Sequence, residues 1–295
     1  MTDLLLAHSL SHAAWRHWTA EPVTIVLIVA SAAVYALGVK RLWQRAGAGR
    51  GVRPREAVCF ALGLFCLAIG LVSPIAWLSD ILFSVHMTQH EILMLAAAPL
   101  LVLGRALHAF LWAFPGSTRE TLGSWMRGRA VHQSWRRLSS PWAVVAIHGL
   151  VLWLWHVPMF FDAALASPAL HAVQHLSFLL TAALFWWAMV HGRFGRIGYG
   201  AAVAFVFLTG LHSSVLGAML TLAPAVWYSP YVVRSSAWNI DALSDQQLAG
   251  LIMWVPTCIV FIVFGLALLA AWLGESEKRA RLGSVTHAER ERAVQ

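Results

Sequence analysis

The sequence predicts an all-α polytopic membrane protein: a seven-transmembrane-helix bundle, N-terminus outside, C-terminus cytoplasmic. Three observations carry this. The 295 residues are 59% hydrophobic and 12% charged, against about 25% charged in ordinary globular chains. Seven apolar runs, near 24–42, 57–73, 84–103, 142–158, 170–190, 201–222 and 249–273, approach the roughly 20 residues that cross a bilayer. Lys and Arg alternate between the connecting segments: 40–56, 104–140, 191–200 and 274–295 hold 19, whereas 1–23, 74–83, 159–169 and 223–248 hold 2. Positive segments mark the cytoplasmic side.

The domain plan is then an external segment 1–23, a transmembrane domain 24–273 and a charged cytoplasmic tail 274–295 expected to be mobile. The net charge of +8 follows the topology, so the partner it implies is the lipid bilayer and not a nucleic acid. A multi-pass protein of a bacterial-type inner (cytoplasmic) membrane is expected. Residues 1–23 lack a basic head, apolar stretch and cleavage site in that order, so no cleaved signal peptide is expected. Cys59, Cys66 and Cys258 lie inside apolar runs without Cys-x-x-Cys spacing, which argues against a disulfide framework.

Span 1 is a plain packing helix that ends in the basic loop Lys40–Arg55. Span 2 carries Cys59 and Cys66 on one face and ends at Ser73-Pro74, where proline disfavours helix at the preceding residue. Span 3 opens with His86-Met87-Thr88-Gln89-His90-Glu91. His86, His90 and Met94 form an i, i+4, i+8 stripe, and residues four apart share a helix face. Pro99 sits near its inner end. The Trp- and Arg-rich stretch Trp125–Arg137 is expected on the inner membrane surface. Span 4 holds His148 and ends in Trp153-Leu-Trp155-His156-Val-Pro158, an interfacial aromatic belt. Span 5 opens with His171-Ala-Val-Gln174-His175, a second His-x-x-Gln-His. Span 6 places His212 near mid-membrane with Met219 towards the outside. Span 7 follows Ser244-Asp245-Gln246-Gln247, where Ser-Asp is expected to cap the helix.

Spans 2–3 and 4–5 share an order: Pro74 or Pro158, Asp80 or Asp162, then His-x-x-Gln-His, with 12 or 13 residues from proline to first histidine. A parallel repeat would place a site at its interface. His86, His90, His156, His171 and His175 are expected at one depth as one metal centre, with His212 below them as its floor or as a ligand from a third helix. Imidazole binds Zn, Cu, Fe and Ni, and Met or Cys shifts the preference towards Cu(I). Met87, Gln89, Glu91, Met94, Asp162, Gln174, Met219 and Asp245 are the supporting candidates, some as partners that orient ring nitrogens. The spacing of His8 and His12 is read as incidental. No Gly-x-Ser-x-Gly, His-Glu-x-x-His or phosphate-binding loop occurs, so an enzyme is not expected.

Asp80-Ile-Leu-Phe-Ser-Val-His86-Met87-Thr-Gln89-His90 with Ala98-Pro99-Leu-Leu resembles the signature of the CtaG-type cytochrome c oxidase assembly factors of the caa3 group. His156-Val-Pro158, Phe161-Asp162-Ala-Ala-Leu, His171-x-x-Gln174-His175 and Asp245-Gln246-Gln247-Leu-Ala-Gly250-Leu-Ile-Met253-Trp254 extend the resemblance over spans 2 to 7. It implies a membrane factor that matures a haem-copper oxidase at the copper stage. Its partners would be an oxidase subunit or another copper chaperone. Copper is therefore the expected ion, with zinc or haem as alternatives. Two rival readings remain from the residues: an electron-transfer protein with haem between His90 and His175, and a metal or proton transporter using His148 and His212 as deeper steps.

Overall fold

The computed structural model describes Trp18, residues 21–191 and residues 199–294, and every element among them is helical. Helices α1 (Pro22–Ala46) and α2 (Pro54–Val72) come first, and a short α3 (Pro74–Ser79) turns the chain into α4 (Phe83–Glu91). A π-helical turn, Ile92–Ala97, carries α4 on into α5 (Ala98–Leu103). The long basic segment forms α6 (Ala106–Ala113), α7 (Gly116–Arg127) and α8 (Arg129–Leu138). Then come α9 (Pro141–His156), the short α10 (Pro158–Ala166) and α11 (Pro168–His191). The chain closes with α12 (Tyr199–Thr221), α13 (Ser229–Ser236) and α14 (Ala242–Val294). Proline is the first residue of α1, α2, α3, α9, α10 and α11. There its missing N–H costs nothing and its fixed φ suits the helix. Both turns that precede a His-x-x-Gln-His motif thus carry a short helix begun by proline.

Among the described residues, six spans are long and apolar enough to cross a membrane, Phe83–Leu103 counting as one. The pair α8 and α9, bent by 67°, brings the number up to seven. The molecule is a multi-pass membrane protein. The run expected at 142–158 is α9, whose 16 residues rise about 24 Å, short of a bilayer core near 30 Å. α14 runs without a break through Pro256 to Val294, so it carries the charged tail as a continuation of the last span. The tail sequence suits a helix, since it is rich in Glu, Lys, Arg and Ala, which are good helix formers. Most of segment 1–23, including His8 and His12, lies outside the described residues, as does much of 191–200.

The cap expected on span 7 is also different. Asp241 caps α14, accepting from Ser244 N (2.8 Å) and Ser244 Oγ (2.7 Å). Those bonds hold its carboxyl below the usual carboxylate range. Asp245 instead crosses to α4, whose own N-cap residue, Leu82, offers no side-chain acceptor. Asp245 Oδ2 accepts from Phe83 N at 2.6 Å, and Oδ1 accepts from Ser84 N at 3.3 Å and Ser84 Oγ at 2.5 Å. A carboxylate at a helix amino end satisfies orphan N–H groups and complements the helix dipole.

Further along the same span, Pro99 has no N–H to give to a carbonyl behind it. Ala98 N bonds Leu93 O in the i to i−5 pattern, so the next bond in that pattern, to Met94 O, is missing. Trp186 of α11 fills it: its indole Nε1 donates to Met94 O at 2.9 Å. Inside a bilayer such a freed carbonyl needs a partner, and here the partner ties the first His helix to the second.

Helices α12 and α14 touch at backbone level. A Cβ added at Gly250 would lie 2.4 Å from Thr221 Oγ1 and 2.7 Å from Gly217 O, and one at Gly217 would lie 3.0 Å from Gly250 O. Small residues permit such close approach of membrane helices. A second, smaller core joins α1, α2 and α6 through Tyr35 stacked on Phe60 at 3.7 Å, with Tyr35 Oη donating to Gly104 O at 2.7 Å and Arg41 to Ala113 O. Gly250→Leu is therefore expected to destabilise the bundle by about 1–3 kcal/mol, the usual cost of overpacking. Thermal unfolding of detergent-purified protein measures this. Gly265→Leu, on the same helix with nothing within 4 Å of an added Cβ, should leave the midpoint unchanged.

Candidate metal centre

The two His-x-x-Gln-His motifs meet. α4 presents His86 and His90 side by side, ring centres 4.4 Å apart, and α11 presents His171 and His175 at 4.2 Å. Across the helices, His86 stacks on His171 at 5.2 Å, stands 6.1 Å from His175, and His90 meets His175 edge to face at 5.2 Å. His86 and His90 are buried, while His171 and His175 are partly buried. One nitrogen from each of His86, His171 and His175 lies within 4.8 Å of the others. An ion held about 2 Å from each nitrogen is reached by ring movements of about 1 Å.

The hydrogen bonds fix which nitrogen is free. Tyr231 of α13 donates its hydroxyl proton to Ser79 O at 2.9 Å. The same oxygen lies 3.1 Å from His86 Nδ1, so it accepts there and Nδ1 carries the proton. His86 Nε2 is then the lone-pair nitrogen, and it is buried without a hydrogen-bond partner. Burial pushes the Tyr231 hydroxyl well above its ordinary range, so it stays a neutral phenol able to play both roles. His90 Nδ1 and Nε2, His171 Nε2 and His175 Nε2 are likewise buried and unpartnered. Unpaired buried polar atoms are costly, and a set of lone-pair nitrogens converging from two helices is the donor set a metal ion satisfies.

His156 stands beside this group, not in it. Its Nδ1 donates to Leu152 O at 2.7 Å, and its Nε2 has no partner. Phe161 and Phe178 lie between: His156 is 6.3 and 6.2 Å from their ring centres, while His86 is 5.1 Å from Phe161 and His90 4.7 Å from Phe178. His212 is not the floor of the centre. Its ring pairs with His148 at 6.1 Å, because α12 lies against α9 and α14, not against α4.

The supporting candidates separate too. Gln89 Nε2 donates to Gly70 O at 2.8 Å, so that amide anchors α4 to α2. Glu91 accepts from Thr257 Oγ1 of α14 at 3.2 and 3.4 Å, which makes it an interhelical tie. Asp245 holds the amino end of α4. Met87 and Met94 are packed in the main core, and Met219 is 43% exposed on the outside of the bundle. Gln174 is buried with both amide atoms unpartnered. Burial raises the Asp162 carboxyl, and its charge acts on Tyr228. Tyr231 and Tyr228 are the residues of the candidate site that motif reading missed. Tyr228 donates to His156 O at 2.9 Å and packs 4.2 Å from Phe161. The available signal was that two of only four tyrosines fall three residues apart in one loop.

Comparison with known proteins gives a consistent picture. A family model described as cytochrome c oxidase caa3 assembly factor matches residues 33–275. An uncharacterised protein of Mycobacterium leprae is 27% identical over 234 residues, 76% of this chain and 35% of its own length. Uncharacterised proteins of Mycobacterium bovis and Mycobacterium tuberculosis are each 24% identical over 252 residues, 83% of this chain and 38% of theirs. The chain thus spans little more than a third of the curated relatives it matches. No solved structure matches it.

The hydrogen-bond order makes Tyr231 the residue that sets the His86 tautomer. Tyr231→Phe is expected to weaken metal binding about 10- to 100-fold, as loss of a partner behind a ligating histidine does. Competition against a chelator of known affinity measures it, and an unchanged affinity would remove Tyr231 from the site.

Proposed function

Because the chain belongs to the cytochrome c oxidase caa3 assembly factor family, a non-catalytic role, we propose that it carries a copper ion on His86, His171 and His175, with His90 against them, for delivery to a haem-copper oxidase. The observation that supports this reading most is the convergence of two copies of one motif on a single set of lone-pair nitrogens. The ion is cargo. His86, fixed by Tyr231, would be the oriented ligand, and His171, partly buried, the ligand nearest the surface. His156, behind Phe161 and Phe178, would be a neighbouring imidazole able to take the ion as it leaves. The recipient would be an oxidase subunit or another copper chaperone. Imidazole also suits zinc. Haem is the poorer fit, since a porphyrin would have to enter between His90 and His175, whose ring centres are 5.2 Å apart.

Orientation belongs to the same proposal. Seven spans in a bacterial-type inner membrane, with residues 1–23 outside and the tail from 274 cytoplasmic, would put the histidines at the outer face. The 19-to-2 division of Lys and Arg supports this. A reporter fused after Gln295 should behave as cytoplasmic and one inserted near Asp162 as external. The reverse labelling would turn the site inward and sink outward delivery.

A chelated ion depends on each ligand only while the others hold it, so losses are non-additive. His86→Ala alone or His175→Ala alone is expected to remove the ion held at this centre from the purified protein, and the double variant to remove little more. Cells carrying either variant should insert the oxidase polypeptide yet lack oxidase activity. Two independent, additive losses would instead describe unconnected histidines.

A further inference from the structure

A second pair of histidines lies deeper in the bundle and takes no part in the reading above. His148 of α9 sits eight residues before His156, about 12 Å along the helix. Its ring centre is 6.1 Å from that of His212 on α12, the planes inclined by 57°. Neither ring joins the His86 group. His148 is 8% exposed, and its Nδ1 lies 3.1 Å from Thr181 Oγ1. That hydroxyl gives its proton to Ser177 O at 2.9 Å. It therefore accepts from His148, whose Nδ1 carries the proton and whose Nε2 is left with the lone pair. Both ring nitrogens of His212 are buried with no hydrogen-bond partner. Hydrocarbon supplies no water to such atoms. The residue beside His148 is Gly149, where an added Cβ would lie 3.5 Å from His212 Nε2, so the missing side chain leaves that nitrogen open.

We propose that His148 and His212 form a second, two-coordinate cation site for a soft monovalent ion, Cu(I) being the biological candidate. The spacing suits it. Two imidazoles bridged in line by a metal at about 2 Å from each nitrogen place their ring centres about 6 Å apart. Charge points the same way. Both donors are neutral and the site lies within the apolar bundle, where the cost of burying an ion climbs steeply with its charge. Zn(II) asks for four ligands, whereas a filled-shell monovalent ion is content with two in line. The site does not depend on the outer histidines: Thr181, which orients His148, lies six residues past His175, about 9 Å further along α11.

The test loads the purified full-length protein with Cu(I) under reducing, anaerobic conditions, against a competing chelator. Bound copper is counted, and two-coordinate copper is read from the X-ray absorption edge. The intact protein should hold two Cu(I) but one Zn(II), and Ag(I) should occupy the deep site. His212→Ala should hold one Cu(I) and lose the two-coordinate signature. Gly149→Leu, which keeps both ligands but fills the gap, should do the same, while Gly149→Ala should retain both ions. All three should elute as the intact protein does. His175→Ala should lose the outer ion and keep the two-coordinate signature. Retention of two Cu(I) by both His212→Ala and Gly149→Leu would overturn the deep site. Loss of copper from His212→Ala alongside full retention in His175→Ala would overturn the outer centre and leave the deep one standing.

Discussion

The arrangement of the histidines depends on one carboxylate. Asp245, on the first turns of α14, binds two main-chain N–H groups and the Ser84 hydroxyl at the amino end of α4, across 162 residues of sequence in the case of Phe83. The group is buried, 5% exposed, where hydrogen bonds to a charged acceptor are stronger than in water. Each is worth about 1.5–3 kcal/mol. Without it, α4 would begin with orphan donors inside the bundle, because Leu82 brings no acceptor of its own. His86 lies three residues past Phe83, so the bond that starts the helix also sets where its first imidazole stands. From there the chain of dependence runs through Tyr231, which is hydrogen-bonded to both Ser79 and His86, and so joins α3, α4 and α13 at the site.

Many hydroxyls of the bundle are handled locally. Ser73, Thr209, Ser214 and Thr221 each return their hydroxyl to the carbonyl four residues back, an economical solution inside hydrocarbon. Against that background the unpartnered buried atoms stand out. Among the described residues they are imidazole nitrogens, or belong to Gln89, Gln174 and Asp162 in the same motifs. A chain that satisfies so many hydroxyls within one turn has left a particular class of donor unsatisfied, and that class is the one that binds transition metals.

Much of this was legible beforehand, and the parts that were not share a cause. Apolar runs act over whole segments, and so the helical membrane architecture could be read directly. The paired His-x-x-Gln-His motifs were readable because i and i+4 share a face. Apart from the meeting of those two motifs, what escaped were the choices made between elements. Ser244-Asp245 looked like a local cap, yet Asp241 already occupied that role, which freed Asp245 to serve another helix. Glu91 follows His90 in sequence, but a step of one residue turns a side chain by about 100°, and it reaches Thr257 instead. His212 was placed at a suitable depth but on the wrong neighbour, since depth can be read from hydropathy and helix adjacency cannot. Tyr231 carried no motif at all.

The π-helical turn after Glu91 has a consequence for how this span can change. A widened turn accommodates one extra residue, and each residue in a helix advances the face by about 100°. The halves before and after the turn therefore run out of phase. The half before it turns its imidazoles to α11, and the half after it seats Leu101 against the Gly63 backbone of α2, where an added Cβ would come within 2.9 Å of it. With Trp186 clasping the joint at Met94, the two halves carry separate registers against the same pair of neighbours, since Gln89 before the turn reaches α2 and α5 after it packs on α2 and α11. A single insertion lets one span show two different faces to two fixed partners.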